Sequence, residues 1–216
     1  MAEPSQVKSR GRFITLEGGE GVGKSTLIHG LQAEFDRRGL KTCMTREPGG
    51  TALAEHVRAL ALTPPDEQSW SALSHALLMN TARSDHLEKL IRPALARGEW
   101  VICDRFADST RAYQSIDGVS SETLIMIERA VVADTRPDLT LILDADPSAL
   151  AERRQLRGTQ DVFEAKDLAF HEQIRAAFLA IAKAEPDRCV VLDALQSPPQ
   201  VLAAALAAIN TRLASR

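Results

Sequence analysis

Leu16-Glu17-Gly18-Gly19-Glu20-Gly21-Val22-Gly23-Lys24-Ser25-Thr26 is the stretch on which the fold turns. Residues 18–25 satisfy Gly-x4-Gly-Lys-Ser/Thr, with Phe13-Ile14-Thr15-Leu16, a short β-rich run, before them. Leu27, Ile28, Leu31 and Phe35 follow at helical spacing and predict a helix over 24–38, stopped by Gly39. Strand, glycine loop and helix in that order form a phosphate cradle. Glycines let backbone N–H groups turn toward an anion, and the helix N-terminus adds its positive end. Lys24 can reach outer phosphates, and Ser25 can ligate Mg²⁺.

Outward from this loop the pattern repeats. Apolar runs over 41–45, 100–103, 139–143 and 189–192 predict four more strands. Helical spacing fills the gaps: 51–62, one or two helices over 69–96, 106–116, 120–133, a helix opened by Asp146-Pro147, 164–184, and a last helix after Ser197-Pro198-Pro199-Gln200. Alternating strands and helices imply parallel pairing with right-handed crossovers. The expectation is an α/β chain: a three-layer fold with a five-stranded parallel sheet flanked by helices. One domain over 12–214 follows a flexible tail over 1–11. Within 69–96, Asn80, Thr81, Arg83, Ser84, Asp85 and His86 interrupt an apolar stripe. A polar patch on a helix that should bury a face calls for a reason.

A chain of 216 residues with 44% apolar content can bury a sizeable core. A net charge of -3 argues against a general nucleic-acid coat protein. Cys43, Cys103 and Cys189 lie far apart without a CxxC pair, so they are expected reduced and buried. No apolar run is long enough to span a membrane, and Met1–Gly11 has no signal-peptide core. The expected location is the cytoplasm.

Asp104 ends the third strand, where a second acidic residue can hold Mg²⁺ through water; the alternative is a helix N-cap. Only two asparagines occur, Asn80 and Asn210, and neither begins an Asn-Lys-x-Asp guanine-reading motif. A compact domain with a broken basic segment late in the chain suits a small-molecule kinase.

Four segments in order carry a family resemblance: 16–26 above, Thr45-Arg46-Glu47-Pro48-Gly49-Gly50-Thr51, Asp104-Arg105-Phe106-Ala107-Asp108-Ser109-Thr110-Arg111-Ala112-Tyr113-Gln114, and Arg136-Pro137-Asp138-Leu139-Thr140-Leu141. Together, from about Arg12 to the last helix, they resemble the bacterial thymidylate kinases, P-loop nucleoside monophosphate kinases with a basic LID. The resemblance implies the P-loop NTPase fold and transfer of phosphate from ATP to dTMP with Mg²⁺, in a homodimer. ATP would lie on Gly18, Gly19, Glu20, Gly21, Val22, Gly23, Lys24, Ser25 and Thr26, with Ser25 and Asp104 toward the metal.

Transfer between two phosphates needs in-line positioning and positive charge rather than acid–base chemistry. By resemblance Arg105 grips the acceptor phosphate, and Arg46 is a second candidate. Glu20 would meet the sugar 3′-OH and the Mg²⁺ shell. Glu17, just before, can instead brace the loop. Arg83 would read the thymine carbonyl. Met79, one turn earlier, stands where the family usually has Phe stacked on the base; core filling is the alternative. Thr110 and Tyr113 would stand at the base edge and beneath the sugar, with the Tyr113 ring excluding a 2′-OH. Gln114 is either a base contact or part of a solvated face.

Arg153, Arg154 and Arg157 precede Gly158 and resemble the LID, at about 153–163. One version of the family carries its catalytic arginine in the phosphate loop. Gly21 stands there in this chain, so Arg153 or Arg157 would supply it. Gln155 and Val162 depart from the family's arginines, and Asp161 and Glu164 would tie the LID to substrate or metal. Two alternatives remain: another nucleoside monophosphate or deoxynucleoside kinase, which Met79 and Val162 allow, or a P-loop binding protein without catalysis.

Overall fold

The computed structural model describes residues 10–65, 68–155 and 168–213, the side chains of 152–155 excepted. Five strands are described: β1 (Phe13–Glu17), β2 (Thr42–Arg46), β3 (Trp100–Asp104), β4 (Leu139–Asp144) and β5 (Cys189–Asp193). They form one parallel sheet in the order β2-β3-β1-β4-β5. β1 sits between β3 and β4: the connection from β1 runs to β2 on one side, and the connection from β3 crosses to β4 on the other. The crevice this opens at the strands' C-terminal ends is where such sheets bind ligands.

The helices are α1 (Lys24–Arg37), α2 (Ala52–Leu62), α3 (Ala72–His86), α4 (Arg92–Ala96), α5 (Ala107–Ile116), α6 (Ser121–Val132), α7 (Pro147–Gln155), α8 (Leu168–Ala184) and α9 (Pro198–Leu213). On one face of the sheet Leu27, Leu31 and Phe35 of α1 and Val201, Ala205 and Ile209 of α9 bury Ile14, Leu16, Leu139 and Leu141. On the other, Leu87, Ile91 and Phe106 cover Phe13, Val101 and Cys103, while Ile174, Phe178 and Ile181 of α8 cover Ile142 and Cys189. β1 is buried along its whole length, as a strand covered on both faces must be. Its one hydroxyl, Thr15, is satisfied by the Thr140 hydroxyl at 2.8 Å.

The predicted helix over 69–96 resolves into α3, a π-helical turn at Leu87–Ile91, and α4. Pro93 explains the change of pitch. It has no N–H to give, and its ring crowds the turn before it. The Arg92 N–H accordingly reaches back five residues to the Leu87 carbonyl. At the start of α9, Gln200 bonds the Ser197 N–H at 3.1 Å, the reciprocal half of a capping box.

A charged network ties α5 and α6 to the segment joining α8 and β5. Arg188 holds Asp108 with two bonds of 2.7 and 2.9 Å, and bonds Glu185 at 2.9 Å and Thr140 at 2.6 Å. Arg111 donates to Glu185 at 2.5 Å and Asp108 at 3.2 Å. Asp108 is almost wholly buried, so its charge depends on these partners. Burial alone would raise the Glu185 carboxyl, but the bonds and charges of Arg188 and Arg111 hold it down at about 2.

Candidate functional site

Gly18, Gly21 and Gly23 of the phosphate loop have φ of 134°, 72° and 97°. Gly18 is the tightest point: a Cβ there would lie 2.5 Å from the Leu143 carbonyl oxygen. Gly23 leads into α1 with no side-chain cap, which leaves the first N–H groups of the helix for an anion. The buried Lys24 ammonium donates to the carbonyls of Gly18, at 3.2 Å, and Gly19, at 2.8 Å. Burial, helped by the positive charge of Arg105, lowers its pKa to about 8, while Asp104, Glu20 and Glu17 work against the shift. Ser25 and Thr26 are exposed at the start of α1.

The opposite wall is the turn after β3. Arg105 has φ 66°, a left-handed conformation that is strained for a side chain with a Cβ. Its Nη1 donates to Ser109 at 3.0 Å and to the Gly18 carbonyl at 3.2 Å, and its Nη2 to Glu20 at 3.1 Å. The guanidinium lies over the Tyr113 ring, 5.2 Å from its centre. The Tyr113 hydroxyl donates to the same oxygen of Glu20 at 2.5 Å. Burial would raise the Glu20 carboxyl, yet Arg105, the Tyr113 hydroxyl and Lys24 together hold it below its usual value. Burial first, and then the Glu20 bond, push the Tyr113 phenol upward.

Glu17 is fully buried under this turn. One of its oxygens accepts the N–H groups of Phe106, at 2.8 Å, and Ser109, at 3.3 Å; the other accepts the Ser109 hydroxyl at 2.6 Å. Burial and the neighbouring Asp108 raise its carboxyl to about 7, against the pull of Ser109, Arg105 and the Phe106 N–H. Glu17 is thus a brace, but of the turn after β3 and the start of α5 rather than of the phosphate loop beside it. The N-cap alternative for Asp104 is not realised. Phe106 is the cap residue of α5, and Asp104 Oδ1 is buried without a hydrogen-bond partner. Glu20 Oε2 is buried and unpartnered as well.

The polar patch of α3 forms the site's floor. Arg83 is almost wholly buried between β2 and α5. Its Nε donates to Glu47 at 2.7 Å, Nη1 to Asn80 at 2.9 Å, and Nη2 to the Phe106 carbonyl and the Thr110 hydroxyl, each at 3.0 Å. A guanidinium has five N–H groups. These bonds use four and leave one on Nη1. Glu47 also bonds His86 at 3.0 Å, and the far side of that ring bonds Thr45 at 2.7 Å.

Lys24, Glu20, Arg105, Tyr113 and the loop glycines, all expected from the sequence, thus meet in one place. Arg83 and Thr110 form the adjoining floor. Met79 is half-buried one residue before Asn80. Gln114 is buried, which removes the solvated-face alternative. Arg46 is exposed and paired with Glu55 at 3.1 Å, beside Asp104 in the strand register. The side chain of Arg153 lies outside the described residues, as do Arg154's and the whole of Arg157, Asp161, Val162 and Glu164.

A family model described as thymidylate kinase matches residues 16–205. The chain belongs to the thymidylate kinase family. A thymidylate kinase of Caulobacter vibrioides is 50% identical over 187 residues, which cover 86% of this chain and 89% of the relative. One of Rhodopseudomonas palustris is 45% identical over 98% of this chain and 94% of its own length. The crystal structure of an Ehrlichia chaffeensis thymidylate kinase superposes with a TM-score of 0.75 at 32% identity, covering 93% of this chain and 99% of that one.

In this thymidylate kinase family member the polar patch of α3 divides: Asn80, Arg83 and His86 are buried toward β2 and α5, while Thr81 and Ser84 are exposed on the other side of the helix. Several residues of the site were not singled out from the sequence. Glu47 holds Arg83 together with Asn80 of the patch, and Ser109 holds Arg105. Arg58 of α2 donates to the Pro48 carbonyl at 2.8 Å. Burial, then the charge of Arg46, lowers the Arg58 pKa, and Arg105 and Asp104 also lie within electrostatic reach. The signal available for Arg58 was its place three residues after Glu55, on the helix that follows the Pro-Gly loop.

Proposed function

We propose that this chain transfers the terminal phosphoryl group of ATP to the phosphate of dTMP, giving ADP and dTDP. One observation carries the reading. Arg105 donates to the carbonyl of Gly18 and to Glu20, so the acceptor's arginine is bonded to the donor's loop. Two phosphates bound by these groups face each other across a few ångströms, which is the arrangement in-line transfer requires.

ATP lies with its phosphates on residues 18–26, close to Lys24. Its base occupies the cleft lined by Gly21, Thr26, Gln196, Pro198 and Val201. The free N–H of Arg83 meets a base carbonyl, and the Tyr113 ring lies under the deoxyribose, where a 2′-OH would clash. Met79, Thr110 and Gln114 complete the base pocket, and Arg46 adds charge near the acceptor phosphate. Arg153 or Arg157 of the LID, over 153–163, closes on the transferring group and excludes water.

Ser25 and the unpartnered Asp104 oxygen suit a hard cation such as Mg²⁺. Among the described residues no cluster of three His, Cys, Asp or Glu side chains makes a self-sufficient cage. Substrate phosphates and water would complete the shell, and the bound ion would neutralise charge on the phosphate oxygens.

The chain acts in the cytoplasm as one domain over 12–214. Its three free cysteines fit a reducing compartment, and no helix among the described residues is long and apolar enough to cross a membrane. Two copies pair through α2, α3 and α6. Leu53, Leu60, Leu62, Leu73, Leu77 and Met126 are exposed on these helices. A groove of about 860 Å³ between α3 and α6 carries Asp85, Glu88 and Lys89. Both signs of charge on one patch suit a self-complementary twofold contact. Sedimentation of the protein should give a dimer and Leu77→Glu a monomer; a monomeric parent protein would sink this surface.

The activity is tested by ADP release with ATP and Mg²⁺ against dTMP, dUMP, UMP, dCMP, AMP and GMP. Turnover should be strongest with dTMP, poor with UMP, and lost when Mg²⁺ is chelated. Preference for another acceptor would remove the Arg83 base assignment, and no turnover with any would remove catalysis.

A further inference from the structure

Arg105 holds its place from a strained backbone, so neighbouring groups must fix it. The fork lies over the Tyr113 ring, and two of its three hydrogen bonds, to Glu20 and the Gly18 carbonyl, belong to the phosphate loop, which binding substrate will itself engage. The third is Ser109 of α5, a half-buried residue that is itself tied to the sheet. Its hydroxyl donates at 2.6 Å to Glu17, on the fully buried β1. When Glu17 is ionised it only accepts, so the hydroxyl proton points to Glu17 and the oxygen's lone pairs remain for Arg105 Nη1, 3.0 Å away. The other oxygen of Glu17 fixes the backbone on both sides of the turn, through the N–H groups of Phe106 and Ser109.

We infer that Glu17 and Ser109 are positioning residues for the acceptor-phosphate site: Glu17 orients the Ser109 hydroxyl, which aims the Arg105 guanidinium. This rests on Arg105 gripping the acceptor phosphate. Neither residue touches substrate. Both act through the direction of one guanidinium fork, and a fork that is turned away loses its paired bonds to a phosphate. The effect should therefore follow the phosphate and not the base.

Calorimetric titration of the full chain separates these contributions, using dTMP, thymidine and ATP as probes. Ser109→Ala removes the relay while leaving the buried carboxylate its backbone partners. It should weaken dTMP about tenfold or more, the cost of one hydrogen bond to a charged group, and leave thymidine and ATP unchanged. Ser109→Thr keeps the hydroxyl and should restore dTMP binding. Glu17→Gln should act in the same direction as Ser109→Ala, because its amide donates where the carboxylate accepted. Unchanged dTMP affinity in Ser109→Ala would overturn the relay, and so would equal weakening of dTMP and thymidine. Failure of the functional reading is a different result: absence of dTMP turnover by the parent protein in the acceptor panel.

Discussion

Lys24→Ala is expected to lower kcat by about 10³-fold while leaving the fold intact. The ammonium is buried within the loop and holds two of its carbonyls, at 3.2 and 2.8 Å. A cation in that position is prepaid: burial has already stripped its water and lowered its pKa to about 8. An arriving polyphosphate offers better partners than two carbonyls, so Lys24 turns to it without much reorganisation. A preorganised donor aimed at developing charge contributes roughly 10²–10³ in rate, and a full positive charge in a dry site lies at the upper end. The alanine variant keeps the helix N-terminus and the loop's N–H groups, so ATP should still bind, more weakly. Single-turnover kinetics with dTMP separate the two effects, and near-ultraviolet circular dichroism checks the fold. A variant within tenfold of the parent kcat would show that the terminal phosphate is held by something else. A P-loop protein without catalysis would have no turnover to lose.

The phosphate loop was legible because its chemistry is local. Eight consecutive residues between a strand and a helix specify both backbone shape and charge. Asp104-Arg105 was legible for a related reason: polar residues that end a buried parallel strand must lie at the crevice. The patch at Arg83 was visible as an anomaly on α3, and its partners were not. Glu47 and Arg83 lie 36 residues apart. They meet because β2 is an edge strand beside β3 and α3 crosses near its end, and no residue spacing encodes that crossing. Strand order was hidden for the same reason: the sequence supplied five strands and parallel pairing, whereas the order depends on which helix faces fit together. Gln114 stayed undecided between a base contact and a solvated face, because burial on α5 depends on how α6 and α8 pack against that helix. The π turn had a visible cause in Pro93, but a proline can kink or end a helix as readily as rewind it.

Arg105→Ala should lower kcat/KM for dTMP by about 10³-fold, and a second effect sets it apart from loss of a simple anion contact. Removing the guanidinium deletes the bidentate grip proposed for the acceptor phosphate, and charge-assisted bonds of this kind are the strong ones. It also leaves Glu20 with Tyr113 and Lys24 but without its principal cation. If Glu20 stays ionised, it repels both phosphates. If it protonates, the site loses the acceptor proposed for the sugar hydroxyl. Arg105→Lys tests geometry against charge. A compact ammonium cannot reach Ser109, the Gly18 carbonyl and Glu20 from one planar fork, though it still neutralises Glu20. Lysine should therefore recover roughly tenfold over alanine and remain far below arginine, with ATP affinity little changed in either variant. The double variant Arg105→Ala, Glu20→Gln isolates the repulsion: it should bind dTMP more tightly than Arg105→Ala alone. Equal affinity in the two would mean that Glu20 already gives up its charge when Arg105 is gone. Equal activity of lysine and arginine would reduce Arg105 to a point charge and remove the need for the strained turn that presents it.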